Sequence, residues 1–133
     1  MRGEFLEKPS DELNSRDIRE ANLVLWGDPG SNAMLAEIAD RLPVVWRDGE
    51  FEFEGETYST SEAAPVLIFP NPLNPDRYVV INSGLTFREA HDRTNSQQNP
   101  KLPDWAVIGL DQWPDDEAPG RIIKAGFFDE RWR

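Results

Sequence analysis

Short apolar runs are the feature that most constrains how this chain can fold. Residues 22–26 (NLVLW), 66–69 (VLIF) and 104–110 (DWAVIGL) each have the length of a strand, and each has a glycine or proline next to it. Apolar runs of this length are typical of strands that are buried on both faces of a sheet. They fall well short of the roughly 20 residues that cross a bilayer. We therefore predict a core built on a sheet, and no membrane partner.

A turn and a helical pattern follow the first run. Residues 27–32 (GDPGSN) have the composition of a tight turn, and Pro43 marks the end of the pattern. Strand, turn and helix in this order predict a βα unit of the Rossmann or flavodoxin type. Between this turn and Pro43, four apolar residues have the i, i+3, i+4, i+7 spacing of one helix face. They are Leu35, Ile38, Ala39 and Leu42.

A second βα unit is predicted further along the chain. Residues 77–82 have the composition of a strand, and Thr86 with Glu89 matches a capping box, which starts a helix that ends near Arg93. Proline cannot donate a hydrogen bond to a neighbouring strand. Residues 70–76 (PNPLNPD) therefore predict a rigid loop between two strands.

The middle of the chain has the pattern of an antiparallel meander. Residues 44–47, 50–53 and 56–59 are separated by Asp48-Gly49 and by Glu54-Gly55, dipeptides that favour tight hairpin turns. Glutamates alternate with Phe51 and Phe53 in the second segment, which indicates one buried face and one face in water. Glu50, Glu52 and Glu54 are expected on the wet face.

These segments together predict an α/β fold. We expect a mixed sheet with Rossmann or flavodoxin-like βα units, few flanking helices, the small antiparallel meander and a last strand at residues 121–128. A chain of 133 residues has the size of one domain. We place that domain at residues 15–133, with Ser15 capping a short first helix. Residues 1–14 are polar and predict a flexible arm or a cloning remnant.

Composition excludes several classes of function. With 14 basic and 25 acidic residues the formal net charge is −11, which argues against nucleic acid or an anionic membrane as partner. The absence of cysteine excludes disulfides and thiolate metal sites, and a single histidine excludes a His-rich metal centre. The spacing in residues 27–32 matches neither dinucleotide nor P-loop motifs. We expect no cofactor and no metal.

Any binding site is expected where the loops at the strand ends converge, since open α/β sheets bind ligands beyond the carboxyl ends of their strands. Short polar side chains in these loops suit a neutral, hydroxylated ligand such as a sugar. The candidate binding residues are Asp28, Ser31, Asn32, Asn71, Asn74, Ser83, Thr86 and Asp111.

Other groups of residues suggest alternative functions. Ser83 and His91, with Asp111, have the residue types of a small serine hydrolase, although Ser83 does not lie in a G-x-S-x-G elbow. Asp111, Asp115 and Asp116 supply carboxylates for a weak calcium site without the order of an EF-hand. Tryptophans at strands are expected in the core and the others at the surface, where they could stack on a sugar. We place Trp26, Trp46 and Trp105 in the core, and Trp113 and Trp132 at the surface.

Three segments carry a resemblance to a known family. Residues 21–32 (ANLVLWGDPGSN), 69–84 (FPNPLNPDRYVVINSG) and 125–130 (AGFFDE) resemble the C-terminal region of large bacterial secreted proteins of the prolyl-oligopeptidase type. In those peptidases or esterases an α/β-hydrolase domain precedes this region. The resemblance implies a non-catalytic accessory domain, with the upstream hydrolase domain as its partner and a secreted or periplasmic location. Its role would be interdomain packing or contact with substrate or a surface, including carbohydrate.

Overall fold

The computed structural model describes residues 6–83, 103–112 and 120–133, which form a mixed α/β fold made mostly of strands. The helices are α1 (Ser15–Glu20) and α2 (Ala33–Ile38), with single 3₁₀ turns at Ser10–Glu12 and Ala39–Arg41. The strands are β1 (Leu23–Trp26), β2 (Val45–Arg47), β3 (Glu50–Phe53), β4 (Glu56–Ser59), β5 (Ala63–Asn71), β6 (Asn74–Asn82), β7 (Trp105–Gly109) and β8 (Arg121–Gly126). None of the described helices has the length and apolar character needed to cross a membrane.

Five strands form the larger sheet, in the order β1-β6-β5-β7-β8. β1 lies parallel to β6, with Leu23 opposite Val79, and the other neighbours are antiparallel. The sheet is therefore mixed, as predicted. Within the described strands β1 and β6 form the one parallel pair, and α2 follows β1 after the turn at residues 27–32.

The meander is confirmed as a separate three-stranded antiparallel sheet, in the order β2-β3-β4. Its two turns use the predicted glycines, since Gly49 and Gly55 have φ angles of 75° and 74°, a region that side chains disfavour. Phe51 and Phe53 are buried, whereas Glu50 and Glu54 are exposed. The alternation in the sequence thus gives one dry and one wet face.

The core lies between the two sheets and α2. It joins one face of the larger sheet, which we call the inner face, to the helix and to the dry face of the smaller sheet. The ring of Phe53 meets Trp105 of the larger sheet edge to face, with centroids 5.1 Å apart. The largest contributors from the two sheets and α2 are Leu25, Leu35, Ile38, Phe51, Phe53, Leu67, Ile81 and Trp105.

An ion pair also links the two sheets. Lys124 of β8 donates to Glu56 of β4 at 2.6 Å, and the Tyr58 hydroxyl donates to the other oxygen of that carboxylate at 2.9 Å. These two hydrogen bonds hold the pKa of Glu56 below its ordinary value. Burial, and then the hydrogen bond and charge of Glu56, raise the pKa of Tyr58 to about 12.

Two predictions about the strands are wrong. The run at residues 22–26 is not buried on both faces, because β1 is an edge strand whose alternate side chains Val24 and Trp26 are exposed. Trp26 is therefore not a core residue, although Trp105 is. Residues 70–76 are not a loop, because β5 continues to Asn71, β6 starts at Asn74, and Pro72-Leu73 alone form the turn.

Pro70 is tolerated because of where it lies. The N–H of Ile68, two residues earlier, donates to the Asp104 carbonyl on the β7 side at 2.8 Å. Pro70 itself lies beyond the described β5–β7 register, which ends at Leu67 opposite Trp105, a position that suits proline at the end of a paired segment.

The cap of the first helix also differs from the expectation. Asn14, not Ser15, caps α1, with a reciprocal capping box to Asp17. Lys8 pairs with the same aspartate at 2.8 Å, and the Ser10 hydroxyl accepts from Ala33 N–H at 3.0 Å. Contacts with the domain therefore begin upstream of Ser15. The helix predicted after Thr86 lies outside the described residues, as do Trp113, Asp115 and Asp116.

Candidate functional site

The sheet order brings one group of candidate residues to a common edge. β1 and β6 are parallel, so residues 27–32 and Ser83 leave the sheet at the same end. β7 runs antiparallel to β5, which places Asp111 at that end too. We call this end, formed by residues 27–32, Ser83 and Asp111, the strand-end edge.

Ser83 is hydrogen-bonded to the backbone of the neighbouring strand's turn. Its hydroxyl donates to the carbonyl of Gly27 at 2.7 Å, and its N–H donates to the carbonyl of Pro65 at 3.2 Å. Gly27 in turn donates its N–H to the Asn82 carbonyl at 3.2 Å. These bonds extend the β1–β6 pairing past the last strand residues. The serine hydroxyl serves here as a structural donor.

The turn at residues 27–32 satisfies its own polar groups. The Ser31 hydroxyl donates to Asp28 Oδ1 at 2.8 Å, and the same carboxylate oxygen accepts from Ser31 N–H at 2.9 Å. Asn32 is the N-cap of α2: its Oδ1 accepts from Leu35 N–H, and its Nδ2 donates to the Trp26 carbonyl, both at 3.0 Å. The three candidate side chains of this turn are thus used to shape it.

Asp111 forms an ion pair with Arg121 of β8. Its two carboxylate oxygens accept from Nε of Arg121 at 3.0 and 3.1 Å. Both side chains are more than half exposed, so the pair contributes little to stability. The described residues hold no group of three or more His, Asp or Glu that could bind a metal ion.

Asn71 and Asn74 lie at the opposite end of β6, at the hairpin with β5. Asn74 Nδ2 donates to the carbonyl of Ile18 at 3.0 Å, which ties the hairpin to α1. Asn71 is 1% exposed, and its Oδ1 accepts from Leu73 N–H at 2.9 Å in an Asx turn. Among the described residues its Nδ2 has no hydrogen-bond partner. The structure thus separates these two asparagines from Ser83 and residues 27–32.

Two candidates lie outside the described residues, namely Thr86 and His91. The predictions that a ligand binds at Thr86 and that Ser83 works with His91 therefore stay predictions. Ser83 itself is described, and its hydroxyl proton points to a backbone carbonyl.

The sequence interpretation missed an aromatic cluster at the C-terminus. Trp132 contacts three rings, with centroids 6.0 Å from Phe69, 5.6 Å from Tyr78 and 5.9 Å from Phe128. Asp129 holds the tail in place by accepting hydrogen bonds from the backbone N–H groups of Arg133 and Arg131, which keep the pKa of Asp129 below its ordinary value. Trp132 is partly buried rather than freely exposed. The four aromatic residues, spread along the chain, gave no local pattern.

Comparisons of the chain with protein-family models, with curated proteins and with solved structures find no match.

Proposed function

We propose that this chain is a non-catalytic α/β accessory domain that packs against a hydrolase-like domain upstream in the same protein. One observation carries the proposal. Asp28, Ser31, Asn32 and Ser83 at the strand-end edge are hydrogen-bonded to one another or to the chain's own backbone, and Asp111 is paired with Arg121, whereas several large apolar side chains are exposed.

The hydrogen bonds of Ser83 support a structural role. A serine nucleophile needs a base that accepts its proton during attack. Here the hydroxyl donates to Gly27 O, an acceptor that cannot take up a proton at neutral pH. The carboxylate of Asp28 is likewise paired with Ser31 next to it.

Exposed apolar residues support a packing role. Phe127 is 76% exposed directly after β8, and Ile122 and Ile123 within β8 are exposed as well. Single exposed apolar residues are common, but neighbouring ones mark surfaces that other proteins cover. The expected partner surface is on the hydrolase-like domain that the family resemblance implies.

A relationship to Rossmann or flavodoxin-like domains is part of this proposal. It is supported by the β1–α2 unit, by its turn at residues 27–32 and by the parallel neighbour β6. In doubly wound sheets such a turn faces ligands. Contact with a hydroxylated ligand such as an oligosaccharide would then occur at the strand-end edge, where it would compete with the bond between Asp28 and Ser31. Titration calorimetry with an oligosaccharide panel tests this version, and no heat with any sugar would contradict it.

The main proposal is tested by producing the upstream domain and this chain as separate polypeptides. We expect the two to bind in calorimetry and the melting temperature of the upstream domain to rise when the chain is added. Absence of binding, or a reading frame that encodes no hydrolase-like domain upstream, would contradict the proposal.

The rival function is a small serine hydrolase that uses Ser83 and His91. A screen of ester and peptide substrates with the chain alone, with Ser83→Ala as the control, separates the two. We expect no turnover that depends on Ser83. Turnover that Ser83→Ala abolishes would favour the rival.

A further inference from the structure

Two buried nitrogen atoms at the β5–β6 hairpin have no hydrogen-bond acceptor among the described residues. They are Nδ2 of Asn71 and Nε of Arg77. Asn71 is 1% exposed, and Arg77 is half-buried. Buried polar groups in folded proteins are nearly always hydrogen-bonded, because an unmade bond is costly. Two such donors in one hairpin therefore call for an acceptor that the described part of the chain does not supply.

The two side chains are neighbours on the inner face of the larger sheet. Arg77 directly precedes the residue opposite Pro70, and Asn71 directly follows Pro70. Side chains alternate along a strand, so Asn71 shares a face with Phe69. Arg77 in the same way shares a face with Val79, and both of these apolar residues pack in or against the core.

The amide of Asn71 has one possible orientation. Its oxygen accepts from the backbone N–H of Leu73 at 2.9 Å, and an N–H group can only donate. The amide nitrogen therefore lies on the other side, where it also can only donate. The group that completes the hydrogen bonding at Nδ2 has to be an acceptor.

Positive charge at this hairpin is not balanced by carboxylates. Elsewhere in the described chain, basic side chains pair with acidic ones at 3.2 Å or less. Arg41 and Arg77 have no such pair among the described residues. Their guanidinium groups donate to backbone carbonyls instead, Arg41 to Pro72 at 2.9 Å and Arg77 to Asp76 at 3.1 Å.

A third arginine adds positive charge near the hairpin. Arg19 belongs to α1, which is hydrogen-bonded to the hairpin. Its neighbour Glu20 is paired with Arg16, and within the described ranges Arg19 has no acidic partner. Asp40 and Asp76 adjoin the other two arginines in sequence but are exposed, and water weakens the field of exposed charges.

We infer that the β5–β6 hairpin binds a small oxyanion, a carboxylate or a phosphate, through Asn71, Arg41 and Arg77. We call these three residues the hairpin site. One ligand oxygen accepts from Nδ2 of Asn71 and from Nε of Arg77, and the two guanidinium groups balance its charge. Arginine suits such ligands because its N–H donors have fixed directions. The hairpin site is at the opposite end of β6 from the strand-end edge, and it does not depend on the proposed accessory role.

Net charge and burial limit the size of the ligand. A chain with a net charge of −11 repels polyanions such as nucleic acids. Charges more than about 8 Å apart are largely screened at 0.15 M salt, so a small anion responds mainly to the arginines beside it. The buried amide of Asn71 leaves room for a single ligand atom, whereas Arg41 is exposed. The rest of the ligand then stays in water.

An NMR titration of the 133-residue chain tests the inference. Sodium phosphate and sodium acetate are added in separate experiments at constant ionic strength. We expect the side-chain N–H resonances of Asn71 and Arg77 to shift and to saturate. Saturation at a lower concentration of acetate than of phosphate identifies a carboxylate as the ligand, and the reverse order identifies a phosphate. No saturable shift with either salt, or equal shifts with sodium chloride alone, overturns the inference.

Three substitutions locate the binding. Asn71→Asp keeps the oxygen that accepts from Leu73 but replaces the donor by a second carboxylate oxygen. We expect Asn71→Asp and Arg77→Gln each to weaken binding at least about tenfold, since each removes a hydrogen bond to a charged group. Arg47→Gln is the control, because Arg47 is paired with Glu52 on the smaller sheet. It should change the affinity by less than about twofold.

Circular dichroism melting checks that each variant folds. Arg41→Gln alters an exposed side chain and serves if Asn71→Asp and Arg77→Gln do not fold, with an expected loss of about threefold to fivefold in affinity. Affinity that survives Asn71→Asp and Arg77→Gln, or that falls equally with Arg47→Gln, overturns the hairpin site. If neither of the first two variants folds, unchanged affinity in Arg41→Gln overturns it.

Discussion

The two sheets of this molecule differ in the polarity and burial of their faces. The smaller sheet buries Phe51 and Phe53 on one face and carries glutamates on the other. In the larger sheet, β7 and the first five residues of β5 are buried on both faces. A sheet of the first kind needs cover on one face only, whereas one of the second kind has to be covered on both faces. Ile122 and Ile123 of β8, with Phe127 after it, are exposed, and in the described part of the chain this is where that covering is incomplete.

Replacing the residue that joins the two sheets should have the largest effect. Phe53→Ala removes a buried ring that packs on Trp105, and we expect the free energy of unfolding to fall by about 3–5 kcal/mol. Urea denaturation measures it, with Val45→Ala on the wet side as control. A loss below about 1 kcal/mol would mean that packing between the two sheets contributes little to the free energy of unfolding.

Neighbouring residues of β1 separate the two faces of the larger sheet. Leu25 is buried in the core, and Val24, which faces the opposite side of the sheet, is exposed. We expect Leu25→Ala to cost about 2–5 kcal/mol and Val24→Ala to cost less than about 1 kcal/mol. Equal losses of stability in urea denaturation would show that both faces of β1 are covered in solution, which contradicts the difference in exposure between Leu25 and Val24.

The turn glycines of the two sheets should also differ in how much stability is lost when each is replaced by alanine. Gly27 has a φ of 89°, and a Cβ there would meet the Ser31 hydroxyl that shapes the turn. Gly49 has a φ of 75° with open space around it. Alanine at either position costs about 1–2 kcal/mol for the left-handed backbone, and Gly27→Ala should cost more because of the added contact. Thermal melting of both variants checks the order.

The smallest expected effect is in alkaline solution. The pKa of Tyr58 is raised to about 12 by burial and by Glu56, so its contribution to stability is complete below about pH 10 and is lost as the pH rises through 12. Tyrosinate absorbance should show Tyr58 ionising at about pH 12, with Tyr78→Phe used to isolate its signal. Glu56→Gln should move that ionisation toward pH 10. An unchanged titration in Glu56→Gln would leave burial as the sole cause.

Local patterns predicted the smaller sheet well. Alternation around Phe51 and Phe53, with Gly49 and Gly55 at the turns, involves residues close in sequence, and the structure follows it. The burial of β1 could not be predicted in this way. An apolar run such as residues 22–26 does not tell whether its strand lies at the edge of a sheet, and that depends on pairing with β6.

In the candidate site, too, local patterns predict one part correctly, and the other part depends on strand pairing between distant residues. Placement of residues 27–32 and Ser83 at one end followed from a strand-to-turn order that the sequence contains. The sequence predicts Asn71 and Asn74 in the same region because residues 70–76 have the composition of a loop. The observed β5–β6 hairpin turns back at Pro72-Leu73 and places both asparagines at the far end. Proline content alone did not reveal that the residues around this turn are paired strands.

The strand order also has a consequence for how the protein is made. β1 has β6 as its neighbour, and Leu23 at the start of β1 pairs with Val79, a residue 56 positions further along the chain. A ribosome adding about 5–20 residues per second needs roughly 3–11 s to deliver β6 after β1 has emerged. The smaller sheet, whose strands are adjacent in sequence, is synthesised whole within that interval. During that interval the nascent β1 therefore lacks its partner strand, and its apolar side chains are accessible to solvent and chaperones.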